Sequence, residues 1–388
     1  MRLASQKECT GCMGCINSCH RNVLDYRFDK NGYFRVFIKN SQNCTNCNYC
    51  SQTCPVVSPV KNKNTTVLGF ASWNLNNKQR KLSASGGVFA AIATTILNNG
   101  GVVYGAAIDG FEVKHIRIDK LEDLYKLQGS KYQLSIINIF QQVRNDLSKK
   151  KTVLFSGMSC QVAALYNFLR HSNYEQLITV DTICGGYASL LPMKSLKNSM
   201  RYSAIVSWRD KYTGWKSKGF AYDLKMKKVN GEIESLGSDN IVIRIFSTHL
   251  LKQSSCLACK FNGTNRVSDL TIGDFWGDTQ FPMEHEHGLS CVVVHNDKAL
   301  QLFKASDLGF VPVGIDAIAL GNANLYWSKY RYLRHSLSRK LALFFLRHEM
   351  YDITLKLCSY NGIFSLGWRV YMRFNERKKK QYFNNHIK

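Results

Sequence analysis

The sequence predicts a mixed α/β protein, α+β in overall make-up: a bacterial-ferredoxin-like module, a mixed-sheet body and a helical basic tail. Three observations carry this: a doubled cysteine run near the N-terminus, short apolar runs alternating with helical patterns from Val67 onward, and a cationic, aromatic-rich C-terminal segment. The expected divisions are 1–62, 63–150, 151–325 and 326–388.

The first module rests on spacing. Cys9, Cys12, Cys15 and Cys19 recur as Cys44, Cys47, Cys50 and Cys54, each set as C-x2-C-x2-C-x3-C. Three thiolates on one tight loop cap a face of a cuboidal cluster, and in two-cluster bacterial ferredoxins the fourth comes from the other run. One [4Fe–4S] cluster would take Cys9, Cys12, Cys15 and Cys54; the other Cys44, Cys47, Cys50 and Cys19. Pro55 follows the second run as that pattern expects, whereas His20 stands where the first run has proline. A zinc knuckle would leave the cysteine after the three-residue gap without a purpose. Thiolate ligands need reduced cysteine, which predicts a cytoplasmic setting.

Val60–Thr66 (VKNKNTT) reads as a linker. In the body, LGFASWN and GGVVYGAAI read as strands, and SASGGVFAAIATTIL as a loop feeding a helix. Leu121–Leu147 reads as two helices around Gly129. KTVLFSGMSCQVAALYNFLR reads as buried strand, glycine turn and helix, LITVDTICGG as a strand ending in cysteine and paired glycines, and SCVVVH as a further strand. TIGDFWGD (Thr271–Asp278) reads as a glycine-rich turn.

Several motifs are candidate sites. Ser83, Ser85, Gly86 and Gly87 precede a helix start, where free N–H groups favour phosphate; a plain helix cap explains them equally. Neither G-x-G-x-x-G nor G-x4-G-K-[ST] occurs, which argues against a Rossmann dehydrogenase or a P-loop. Of the 14 cysteines, Cys160, Cys184, Cys256 and Cys259 stand at loop positions, the last two as C-x2-C, and together match what a third cluster needs. Each alone could be a small buried hydrophobe, and Cys160 a nucleophile at a helix start. Asp274 could bind a ribose hydroxyl or cap its turn. His285 and His287 alternate in EHEHG, as solvated loop histidines do more often than metal ligands.

Together these motifs make the chain resemble the beta-subunit family of coenzyme F420 hydrogenases and dehydrogenases, in its bacterial, polysaccharide-biosynthesis-associated type. The matching stretches are SASGGVF, GSKYQLS (129–135), FSGMSCQVAAL (155–165), DTICGG (181–186), CLAC (256–259) and SDLTIGDFWG (268–277). Met158–Ser159 departs from the family's Thr-Pro before the cysteine. The resemblance implies a flavin-binding body that holds FAD, with a third [4Fe–4S] cluster on Cys160, Cys184, Cys256 and Cys259. It puts Lys131 beside the flavin, where a cation would stabilise the anionic reduced form. Gly157 falls in the same motif set.

Net charge is +25, from 52 Lys and Arg against 27 Asp and Glu, which draws acidic partners. Nucleic acid is excluded as a partner, because no basic–aromatic platform or recognisable module accompanies the charge. Met1–Glu8 lacks an apolar signal region, and no run of about 18 apolar residues occurs, which predicts neither export nor a membrane span. Lys329–Lys388 carries 14 Lys and Arg against 3 Asp and Glu. In helical register Ile363, Leu366, Val370 and Phe374 fall on one face and Arg369, Arg373 and Arg377 on another. Such a helix can lie on an anionic membrane at the inner face, or pack on the protein's own body.

The expected function is an iron–sulfur flavoprotein oxidoreductase. It passes electrons between a small-molecule substrate at FAD and a ferredoxin-like or other one-electron carrier. The alternatives are a non-catalytic electron-relay subunit and a deazaflavin (coenzyme F420) dehydrogenase.

Overall fold

The computed structural model describes residues 2–358 other than 63, 65, 173, 210, 212–213, 216–221, 277–286, 323–324 and 326–330. Both cysteine runs bend the chain in the same way. Gly11 (φ 74°) and Met13 (φ 61°) take left-handed backbone at the positions matched by Asn46 (φ 54°) and Asn48 (φ 62°). Glycine and asparagine adopt that region readily, whereas Met13 costs about 1–2 kcal/mol there. Each bend opens a short helix, α1 (Gly14–Asn17) or α2 (Tyr49–Thr53), and the hairpin β1 (Leu24–Phe28) and β2 (Phe34–Ile38) lies between them.

The body contains β3 (Leu68–Asn74), α3 (Asn77–Leu82), α4 (Val88–Asn98), β4 (Val102–Asp109), β5 (Glu112–Ile118), β6 (Ser135–Ile136), α5 (Phe140–Ser148), β7 (Val153–Met158), α6 (Ser159–Leu169) and β8 (Leu177–Thr182). There follow α7 (Leu191–Asn198), β9 (Tyr202–Arg209), β10 (Tyr222–Lys228), β11 (Ile233–Ser235), α8 (Ile241–Ser247), α9 (Ser254–Leu257), β12 (Leu270–Asp274), β13 (Ser290–Val294) and β14 (Leu308–Val313). One nine-stranded mixed sheet runs β14-β3-β13-β12-β8-β7-β4-β5-β6, and β11-β10-β9 form a smaller antiparallel sheet. The middle of the large sheet, β12-β8-β7-β4, is parallel. Because strands from both sides of residue 150 share this sheet, the division expected there separates sequence motifs and not sheets.

Both faces of the middle strands are covered, so these strands are apolar on both sides. Val103 and Leu154 face α4 and the helix Asp297–Ala305, whereas Val102, Tyr104, Val153 and Phe155 face α5 and α6. The second core also takes Met13, Tyr33 and Phe34 from the cysteine module. Burying Phe34 completely is worth about 1.5–3 kcal/mol, so the module is welded to the body by a core of its own. Hydrogen bonds reinforce the join: Tyr33 Oη donates to the Leu251 carbonyl (3.0 Å), and Gln253 Nε2 to the Cys9 carbonyl (2.6 Å).

Three local expectations change. Leu121–Leu147 holds a 3-10 turn at Leu121–Lys126, the short strand β6 and α5, with Gly129 (φ 78°) in the loop between them. Gly157 lies inside β7, so no glycine turn precedes Cys160 and the helix starts directly at Ser159. The segment expected as a turn at Thr271 is strand through Asp274, because β8 and β13 pair with it on both sides. In the tail, Leu337–Arg347 and Tyr351–Cys358 are helices, and Ala342, Leu346 and Cys358 pack on Ala188, Ile245 and Leu250. Ile363, Leu366, Val370, Phe374, Arg369, Arg373, Arg377, His285 and Asp278 lie outside the described residues. No helix among the described residues is long and apolar enough to cross a membrane.

Candidate metal centres

Parallel register brings the body's cysteines together. Met158 on β7 pairs with Thr182 on β8, and two residues beyond each stand Cys160, in the first turn of α6, and Cys184. The carboxyl ends of adjacent parallel strands are where open α/β sheets place their ligands. Cys256 on α9 and Cys259 just after it close the group, and all four line one cavity with Thr10, Tyr187, Lys252 and Phe261. Gly186 (φ 84°) permits this approach: a Cβ there would lie 2.6 Å from Cys256 Cβ. The Gly186 amide donates to Cys184 Sγ (3.2 Å) and the Phe261 amide to Cys259 Sγ (3.3 Å).

Cys9, Cys12, Cys15 and Cys54 line a second cavity, with Thr10, Met13 and Arg35. The fourth member comes from the other run, as crossed ligation requires. In the third group, the Cys50 thiol is raised by burial and by repulsion from Cys19 and Cys47. Cys44 donates to Asn46 Oδ1 (3.6 Å), and Cys47 is exposed.

All twelve of these thiols are free of disulfides. Burial, and repulsion from the neighbouring cysteines, push Cys12 and Cys256 up to about 12 and Cys259 to about 11. Groups of converging, buried, would-be anions are stable as thiolates only around a cation, and an all-sulfur donor set suits iron–sulfur clusters or zinc. Among the described residues no three Cys, His, Asp or Glu side chains converge on a single metal ion. That concerns one ion, whose thiolates sit about 3.8 Å apart for a zinc–sulfur bond of about 2.3 Å; a cuboidal cluster spreads them wider.

The three groups form a series. Thr10 lines both cavities, and Cys160 and Cys256 pack on the core that contains Cys12. Cys15 and Cys50 share a core with Leu24. Gly14 is the wedge: its Cβ position lies 3.0 Å from Ala164 Cβ on α6 and 3.0 Å from Thr53 Cγ2 on α2. The Cys9/12/15/54 group is therefore the middle one.

Two buried cations at the body's cysteine cavity were not legible in the sequence, since only tertiary structure brings them there. Lys252 is 1 % exposed, and its Nζ donates to the Gly185 carbonyl beside Cys184. Arg266 pairs with Asp181 at 3.1 Å and donates to Ser159 Oγ (2.7 Å), the Thr182 carbonyl (3.2 Å) and the Gly263 carbonyl (2.8 Å). One guanidinium thus ties the chain next to Cys160, before Cys184 and after Cys259.

The remaining expected site residues lie elsewhere. Ser83 Oγ donates to the Gln79 carbonyl (2.8 Å), and Ser85 Oγ to that of Leu289 (2.7 Å). A Cβ on Gly86 would meet Ser72 O at 2.5 Å and Ser290 N at 2.7 Å, so close approach to β3 and β13 accounts for this glycine; Gly87 (φ 86°) caps α4. Gln128 joins the turn to Lys131, donating to Ser83 Oγ (3.2 Å) while Lys131 Nζ donates to the Gln128 carbonyl (2.7 Å). Desolvation pulls the Lys131 ammonium down to about 7. Lys131 also disfavours charge on His115, whose Nε2–H donates to the Ser156 carbonyl next to Gly157. Asp274 accepts from Arg209 Nη1 (2.9 Å) and Trp215 Nε1 (3.2 Å). Lys211, also pulled down to about 7 by burial, donates to the carbonyls of Arg80 (2.8 Å), Ser85 and His287 (2.9 Å). Lys211, Arg80 and Arg209, which motif reading passed over, concentrate positive charge behind the Ser83–Gly87 turn.

Residues 8–57 match the family model described as a 4Fe-4S dicluster domain, and residues 150–312 the one for the C terminus of the coenzyme F420 hydrogenase/dehydrogenase beta subunit. No curated protein matches the chain. Among solved structures, a chain of the xenon-derivatised F420-reducing [NiFe] hydrogenase complex from Methanosarcina barkeri is similar at 16 % identity and a TM-score of 0.44. That alignment covers 78 % of this chain and 96 % of that one.

Proposed function

We propose that this chain, which joins a 4Fe-4S dicluster domain to a C-terminal domain of the coenzyme F420 hydrogenase/dehydrogenase beta-subunit family, is an FAD-dependent oxidoreductase with three [4Fe–4S] clusters. Its electrons run between an organic two-electron substrate and a one-electron carrier. The carrying observation is a series of two four-cysteine cavities and the adjoining Cys19, Cys47 and Cys50, linked through Thr10 and Gly14. When bound, FAD supplies two-electron hydride exchange and the clusters supply single-electron transfer.

The chain's own residues have separable roles. Cys160, Cys184, Cys256 and Cys259 would hold the inner cluster, with Arg266 fixing three of the segments that carry them. Lys252 supplies a buried positive charge beside that cluster. Arg80, Lys211 and Lys131 surround the Ser83–Gly87 turn with basic groups that an anionic cofactor would hold in their charged form, and Asp274 accepts from Arg209 and Trp215.

The test is anaerobic purification with iron, sulfide and released-flavin counts. The expected result is about twelve irons and one FAD per chain, falling to about eight irons when Cys256 and Cys259 are both replaced by serine. An unchanged iron count in that variant would sink the inner cluster. A full iron count with no flavin would leave an electron-relay subunit.

A further inference from the structure

We infer that the chain exchanges electrons with an acidic protein carrier at the face over the Cys19/Cys44/Cys47/Cys50 group, with Arg2 and Arg21 as its electrostatic guides. This rests on the iron–sulfur part of the function proposed above and is independent of flavin. Position in the series is the first argument. The Cys9/12/15/54 group is the middle one, so this group is a terminus, and Cys47 there is exposed. Tunnelling falls off exponentially with distance, so a soluble carrier must meet the chain where a terminal centre reaches the surface.

The face itself is the second argument. It is built from Asn46, Asn48, Tyr49 and His20; Tyr49 is 51 % exposed and meets His20 edge-on at 6.4 Å between ring centroids. An exposed polar patch with one exposed tyrosine suits a brief encounter more than a permanent interface. Arg2 is fixed there by its backbone, whose N–H donates to Ser51 Oγ (2.9 Å) while its carbonyl accepts from the same hydroxyl (2.6 Å). Arg21 follows Cys19 by two residues, and both arginines are exposed.

Charge is the third argument. Residues 1–62 hold 8 Lys and Arg against 3 Asp and Glu. All three acids are engaged: Glu8 with Lys260 (3.1 Å), Asp25 with Lys39 (3.5 Å) and Asp29 with Arg35 (2.9 Å). Arg2 and Arg21 pair with no carboxylate among the described residues. Uncompensated surface cations steer an acidic partner and raise its rate of encounter. Each encounter moves one electron: the carrier is oxidised by one, the chain is reduced by one, and no atom is transferred.

The test is stopped-flow reduction of the anaerobically purified chain by an acidic [2Fe–2S] ferredoxin, reduced beforehand, at low and high salt. The expected second-order rate falls several-fold as salt rises, and falls about tenfold at low salt in the doubly substituted R2E/R21E chain. The K304E chain, altered at an exposed lysine on the helix Asp297–Ala305, should react like the parent. Iron counts and the visible spectrum of each variant separate a lost cluster from a lost encounter. The inference is overturned if R2E/R21E reacts at the parent rate, if K304E loses as much as R2E/R21E, or if dithionite reduces the chain and the ferredoxin does not.

Discussion

Replacing Gly186 by alanine should remove the inner cluster and leave the other two. Two costs combine at this position. At φ 84° a side chain sits in left-handed backbone, which costs about 1–2 kcal/mol. The new Cβ would also stand 2.6 Å from Cys256 Cβ, where ordinary contact begins at 3.4 Å, so the two segments must part by about 0.8 Å. Metal–ligand distances hold to about 0.2 Å, so Cys256 is carried well beyond ligating tolerance. Gly231 is the matched control: its φ is 94° with nothing within 4 Å of a Cβ, so G231A carries the backbone strain without the collision. The assay is iron and sulfide per chain with electron paramagnetic resonance of the reduced protein. We expect about eight irons in G186A, about twelve in G231A, and destabilisation of G186A by about 2–4 kcal/mol in denaturant. Twelve irons and an unchanged spectrum in G186A would refute the cradle.

The other predictions concern buried charge. Arg266→Met leaves Asp181 unpaired in the interior and should cost about 3–5 kcal/mol of stability, together with the inner cluster; a stability loss below about 1 kcal/mol in urea unfolding would show that the pair does not hold the site. Lys252→Met should lower the inner cluster's reduction potential by about 60 mV, a tenfold change in a one-electron equilibrium, whereas Lys252→Arg should keep it; redox titration decides, and equal potentials in all three chains would remove Lys252 from any electrostatic role. His115 and His295 are both held near 4, mainly by desolvation, against 6.5 in the unfolded chain. The unfolded state therefore takes up protons first as pH falls: stability is full above pH 6.5, declines from 6.5 toward about 4 and levels below that. Lowering the pH from 7.5 to 5.5 should cost about 1.4 kcal/mol per histidine, and a stability that stays level or rises would contradict the assignment.

The cysteine runs were legible because cluster chemistry constrains sequence spacing directly: three ligands must come from one turn, and the fourth from a second turn of the same kind. The crossed grouping of Cys54 with Cys9, Cys12 and Cys15 follows from that spacing alone. The four body cysteines were legible as a set, but spacing could not say why they meet; the Met158–Thr182 register supplies that reason. Short-range patterns failed where tertiary pairing decides. Two residues of strand at Ser135–Ile136 leave no periodicity to detect, and Gly157 and Gly273 looked like turn residues although neighbouring strands hold both extended. The close crossing of β3 and β13 that needs a glycine at Gly86 leaves no mark in the sequence around the turn. Lys252 and Arg266 carry no motif, because a buried cation is recognisable only once its surroundings are known.

A bare hydrogen at Gly14 lets α1 touch α2 and α6 at once, and a methyl group there would crowd Ala164 and Thr53 at 3.0 Å. Many redox proteins carry an electron on a tethered domain that swings between two docking positions, so their turnover follows the diffusion of that domain. Here the spacing between successive cysteine groups is set when the chain folds, because α1, α2 and α6 pack against one another. On the function proposed above, turnover is then governed by arrivals at the two ends of the path, and the transfer between them should be as fast in viscous glycerol as in dilute buffer.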